Sequence, residues 1–123
     1  MQLTLLKSKI HRAVVTGANL NYEGSISIGP ELCEAARLHE FEKVDIYNCT
    51  NGKRFSTYVM LGGPGEITLN GAAARLVQQG DEVIIASYAT YSEQEAEQHK
   101  PVLVIVDAQN RIKRINESHS AKG

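Results

Sequence analysis

Val44-Asp45-Ile46-Tyr47-Asn48-Cys49-Thr50-Asn51-Gly52-Lys53-Arg54-Phe55-Ser56-Thr57-Tyr58-Val59-Met60-Leu61 reads as two strands joined by a turn. Residues 44–48 alternate apolar and polar, as a half-buried strand does. Asn51-Gly52 is a strong hairpin signal, because both residues accept the positive φ that tight hairpin turns require. The return stretch 54–61 keeps a period of two. It puts Arg54, Ser56, Tyr58 and Met60 on one face, and Phe55, Thr57, Val59 and Leu61 on the other. Arg54 and Tyr58 on one face suit a site that needs a planar carboxylate clamp beside a phenolic proton donor, and fit an ordinary exposed strand face equally well.

The flanking sequence extends the β pattern. Residues 3–16 carry β-branched Ile10, Val14, Val15 and Thr16 and predict a long strand bearing Lys9, His11 and Arg12. Gly17 to Tyr22 is loop-like, and Ser25-Ile26-Ser27-Ile28 alternates as a short strand. Gly29-Pro30 opens a short helix through Arg37, with Leu32, Ala35 and Ala36 as its apolar stripe. Downstream, 62–65 is a Gly/Pro turn and Ile67-Thr68-Leu69 a brief strand. Asn70 is expected to cap a short helix beginning Gly71-Ala72-Ala73-Ala74, whose free backbone N–H groups suit a carboxylate. Val83-Ile84-Ile85-Ala86 and Pro101 to Val106 read as buried strands, and Ser92-Glu93-Gln94-Glu95 as a capping box. A last strand is expected near 111–115, and 116–123 as a frayed tail. Many short strands with few helical turns predict a mostly-β barrel in one domain, residues 1–115.

With 123 residues and a formal net charge of −1, the chain can bury a core of its own and lacks the basic run of a nucleic-acid surface. Its apolar runs are far short of a membrane span, and residues 1–7 lack the pattern of a signal peptide, so a soluble, cytoplasmic protein is expected. Cys33 and Cys49 fit no zinc spacing and are expected as small buried hydrophobes. His11, His39, His99 and His119 are scattered, and the nucleotide and zinc-protease motifs are missing. A metal or nucleotide enzyme is disfavoured.

Tyr22-Glu23-Gly24-Ser25-Ile26 holds the most reactive possibility. A hydroxyl that follows a glycine can attack the preceding carbonyl, since no Cβ obstructs it. A strained Gly24-Ser25 bond could rearrange to an ester through Ser25 Oγ, an intramolecular nucleophilic reaction. Elimination and hydrolysis would then release ammonia and leave a pyruvoyl group at position 25. The chain would be divided into residues 1–24 and 25–123. By itself Gly-Ser is an ordinary turn dipeptide. Its weight comes from the segments around it.

Those segments are Ser8 to Arg12, Ala18 to Ser25, Asn51 to Tyr58, Asn70 to Ala74, Gly80-Asp81 with the apolar run that follows, and His99-Lys100-Pro101. In this order they resemble the pyruvoyl-dependent aspartate 1-decarboxylases over almost the whole chain, the C-terminal tail excepted. Tyr47 departs from a tryptophan in some relatives, Met60 from a frequent isoleucine, and the 62–65 turn is shorter than in some. The resemblance implies a double-psi β-barrel and a homotetramer with sites between neighbouring subunits. It implies conversion of L-aspartate to β-alanine and CO2, supplying pantothenate and coenzyme A. Ser25 would become the pyruvoyl group that forms a Schiff base with substrate, serving as the electron sink, so that neither pyridoxal phosphate nor a metal is needed. Tyr58 carries over as proton donor, and Lys9, Arg54, Thr57 and the Gly71, Ala72 and Ala73 backbone as substrate contacts. Thr57 has a second role at the Gly24 carbonyl during self-cleavage. His11 and Asn70 are further pocket members, and an accessory maturation protein is used by some members. Two alternatives stay open: a barrel that binds without cleaving itself, and a pyruvoyl decarboxylase for another amino acid, glutamate included.

Overall fold

The computed structural model describes residues 1–116. Nine strands form one mixed sheet: β1 (Gln2–Val14), β2 (Gly17–Asn19), β3 (Ser25–Ile28), β4 (Lys43–Asn48), β5 (Arg54–Leu61), β6 (Ile67–Asn70), β7 (Glu82–Ser92), β8 (Val102–Val106) and β9 (Ile112–Asn116). Helices α1 (Pro30–Ala36) and α2 (Glu93–Gln98) and a 3-10 turn over Gly71–Leu76 complete the described residues. The spatial order is β2-β6-β3-β5-β4-β7-β1-β8-β9. Parallel pairs β1–β8, β2–β6 and β3–β5 are set among antiparallel ones. The fold is mostly β, a double-psi β-barrel.

One core unites the strands. Ile10, Ile26, Ile28, Val44, Ile46, Val59, Ile67, Leu69, Val83, Ile85, Val102 and Val104 are almost wholly excluded from solvent and form a single cluster. Each such side chain contributes roughly 1.5–3 kcal/mol of transfer free energy. β1 is the longest strand and pairs on both edges, with β7 antiparallel and β8 parallel. Two irregularities break its register with β7, between Leu6 and Ser8 and between Ile10 and Ala13. Arg12 takes φ 58° at the second, which re-aims the strand as bulges do.

Several expectations are corrected. Gly17 to Asn19 is a strand beside β6, because Gly17, Ala18 and Asn19 find register opposite Thr68, Leu69 and Asn70. The 48–53 connection is wider than a two-residue turn: Asn48 Oδ1 accepts from the N–H groups of Thr50 and Asn51, closing a larger loop with Gly52 at φ 79°. Cys33 is buried as expected, but Cys49 lies exposed in the hairpin loop. Asn116 belongs to β9; the rest of the expected tail, with His119, lies outside the described residues.

Candidate active site

Ser25 opens β3 directly opposite Asn70 at the end of β6. The residue is 1% exposed. Ser25 Oγ accepts a hydrogen bond from Asn70 Nδ2 at 3.0 Å and donates to the Glu23 carbonyl at 3.4 Å. The second Asn70 N–H reaches Ser27 Oγ at 3.1 Å. Sheet geometry explains this bridge, since Ser25 and Ser27 share a face of β3 and Asn70 stands across from the first. Asn70 occupies the N-cap position of the 3-10 turn with extended φ/ψ, yet makes no side-chain cap bond. In place of the expected cap, the Asn70 amide donates to two serine hydroxyls.

Gly71 follows at φ 65°, a left-handed conformation that glycine reaches without steric cost. A methyl group there would lie 2.7 Å from both Cα and N of Gly24 and 3.0 Å from the Tyr22 carbonyl oxygen. The backbone of Gly71 is therefore pressed against the residue that precedes Ser25. A methyl on Gly24 would meet only the Asn70 carbonyl oxygen, at 4.0 Å. No residue of 20–28 has a positive φ. The unusual conformation sits one strand away, at Gly71.

Over this bond opens a cavity of about 380 Å³ lined by Gly24, Phe55, Ser56, Thr57, Tyr58, Ala72, Ala73 and Leu76. It collects much of the expected site: Gly24, Thr57, Tyr58, Ala72 and Ala73. The Tyr58 ring is partly buried and stands 6.4 Å, centre to centre, from Phe41. β3 and β5 are parallel neighbours, which carries residues 55–58 alongside Ser25.

Ser25, Asn70 and Gly71 do not line this cavity, and neither do Arg54, Lys9 and His11. Arg54 lines an adjoining cavity of about 220 Å³ with Asp45, Tyr47, Phe55 and Ser56. Period-two alternation placed Arg54 and Tyr58 together, but the two cavities meet only along Phe55 and Ser56. Lys9, half-buried on β1, pairs with Ala86 and Leu103. His11 lies opposite Ile105. β1 is three places from β5 in the sheet order. Ser27 was missed by sequence reading, although its spacing of two from Ser25 was the available signal. Tyr88, whose hydroxyl meets that of Tyr47 at 2.7 Å, carried no local signal at all.

The model of the family described as aspartate decarboxylase matches residues 1–113. The chain belongs to the aspartate decarboxylase family. Among its relatives in that family, an aspartate 1-decarboxylase of Bdellovibrio bacteriovorus is 61% identical over 112 residues, 91% of this chain and 90% of the relative. One from Hydrogenobaculum is 62% identical over the same length and shares. One from Cupriavidus necator is 50% identical over 117 residues, covering 94% of this chain and 98% of its own. Among the described residues of this family member no helix is long and apolar enough to cross a membrane, and no cluster of His, Cys, Asp or Glu could hold a metal ion.

Proposed function

We propose that this chain cleaves itself between Gly24 and Ser25 and then decarboxylates L-aspartate at C1, giving β-alanine and CO2 for pantothenate synthesis. Family membership and the names of close relatives support the reaction. The observation that carries the self-cleavage is the buried Ser25 hydroxyl, held by Asn70 beside a Gly24 against which Gly71 is packed.

In the rearrangement, Ser25 Oγ bonds to the Gly24 carbonyl carbon while the C–N bond breaks, and the hydroxyl proton passes to the released amine. Asn70 fixes the Ser25 side chain in place for this attack. Its N–H then faces the same oxygen as that oxygen leaves on the Gly24 carboxylate, where a donor stabilises developing negative charge. Loss of the Ser25 α-proton with that oxygen would leave dehydroalanine, whose tautomeric imine would take up water and release ammonia. The pyruvoyl ketone so formed would supply an electron sink for the pair freed as CO2 departs. Tyr58, lining the cavity above Gly24, delivers the proton that replaces the lost carboxylate, a role worth about 100- to 10,000-fold. Thr57 and the Gly71-Ala72-Ala73 backbone orient the substrate amine and carboxylate. Arg54 receives the second carboxylate through its planar fork, and Lys9 adds a point charge. The family resemblance implies a homotetramer in which neighbouring subunits complete each site; Lys9 and Arg54, which do not line the Gly24 cavity within one chain, accord with that. His11 joins that pocket from the Lys9 strand, and the enzyme works in the cytoplasm.

Denaturing intact-mass measurement of the purified protein tests this. Two fragments divided at Gly24-Ser25 are expected, the longer lighter by one ammonia than a chain that starts with serine. Ser25→Ala is expected to remain intact and inactive. Decarboxylation retained by that variant would overturn the proposal.

A further inference from the structure

Arg54 is the candidate clamp for the substrate's second carboxylate, yet it forms no ion pair among the described residues. The nearby Asp45 carboxylate accepts from Ser56 Oγ at 2.7 Å instead. The guanidinium lies over the Tyr47 ring, with Cζ 4.2 Å from its centre. A stacked guanidinium offers its face to the ring and leaves its rim of N–H donors for a carboxylate. The aim of Arg54 therefore depends on what holds the Tyr47 ring.

Tyr47 lies opposite Ile84 in the β4–β7 register, and Asp45 opposite Ala86. Tyr88 is two residues beyond Ala86 on β7, hence on the same face. The small Ala86 side chain lets the two rings lean toward each other along a cavity of about 520 Å³, which both line with Thr4, Lys43 and Asp45. Their hydroxyls meet at 2.7 Å. We infer that Tyr88 is a positioning residue that sets the affinity for the substrate's second carboxylate, by anchoring Tyr47 beneath Arg54. The inference rests on Arg54 binding that carboxylate. The hydrogen bond with Tyr47, helped by burial, pushes the Tyr88 phenol up to about 12, so it stays protonated at any working pH. Tyrosine at 47 needs such an anchor more than an indole would, because tryptophan presents the stronger face to a cation.

Steady-state kinetics on fully cleaved protein test this. Tyr88→Phe keeps the ring and removes the hydroxyl. It is expected to raise KM for L-aspartate about fivefold, the effect of one ordinary hydrogen bond, with kcat within twofold and cleavage complete. Tyr47→Phe should do the same, and the double Tyr47→Phe/Tyr88→Phe variant should be no worse than either single one. Tyr47→Trp added to Tyr88→Phe should restore KM. An unchanged KM in Tyr88→Phe, or equal losses in kcat and thermal stability with additive effects, would overturn the inference while leaving the reaction in place. Unchanged aspartate turnover in Arg54→Ala would instead remove Arg54 from the substrate site, and the role of Tyr88 with it.

Discussion

Ser25, Asn70 and Gly71 are three residues on two adjacent strand ends, and each is constrained by a different force. Burial fixes Ser25, two committed amide protons fix Asn70, and backbone contact fixes Gly71. Asn70→Ala strips both serine hydroxyls of a donor. Cleavage should slow at least tenfold in a time course by intact mass, and folding stability should fall by about 1–3 kcal/mol in urea titration. Gly71→Ala combines a left-handed backbone, costing roughly 1–2 kcal/mol, with a clash against Gly24. Uncleaved chain should accumulate, and the melting temperature should drop. Much of this trio was legible as residue types: Gly24-Ser25 and Asn70-Gly71 stand out in the sequence. Their relation was not legible, because it depends on the β3–β6 register that sets Ser25 opposite Asn70.

Local signals fared best at the scale of single elements. The capping box at the start of α2 forms as read, with Ser92 Oγ accepting from Glu95 N–H and Glu95 Oε1 accepting from Ser92 N–H. It needs four consecutive residues and nothing else. The two-face reading of β5 holds as a strand, but it does not say which cavity each residue lines, because cavities are bounded by neighbouring strands as well as by a strand's own alternation. The connection between α1 and β4 holds another feature hidden from the sequence. Glu42 accepts from Lys7 Nζ at 2.7 Å, from Ser87 Oγ, and from His39 N–H at 2.9 Å. Burial alone would raise its carboxyl, but these donors outweigh burial and hold it below the ordinary 4.5. The unfolded chain then takes up the proton first. The stabilisation is present at neutral pH and fades as pH falls through 4.5 toward the folded value. Glu42→Gln should therefore flatten the loss of stability below that pH in denaturant titrations, and should lower stability at pH 7 by about 1–3 kcal/mol.

For the whole molecule, the wide sheet separation between β1 and β5 predicts shared sites. Native mass measurement should give four subunits, each made of its two fragments, and refolding inactive Lys9→Ala subunits together with inactive Tyr58→Phe subunits should restore a fraction of the activity. Activity staying at zero in such mixtures would place both groups in one subunit's site. The double pairing of β1 bears on what scission does to the assembly. Residues 1–24 contain all of β1 and β2, and β1 is hydrogen-bonded between β7 and β8, with Ile10 and Ala13 in the core. A cut after Gly24 would leave the short piece woven into the barrel, without a covalent tether. Denaturation of the mature protein would then be a dissociation, and its recovery a second-order event. Recovery of the folded barrel, read by circular dichroism, should fall steeply on dilution for cleaved protein, whereas intact Ser25→Ala chains should regain it independently of concentration before they assemble. Maturation would thus make folding a reaction that the chain completes once, before it cuts itself.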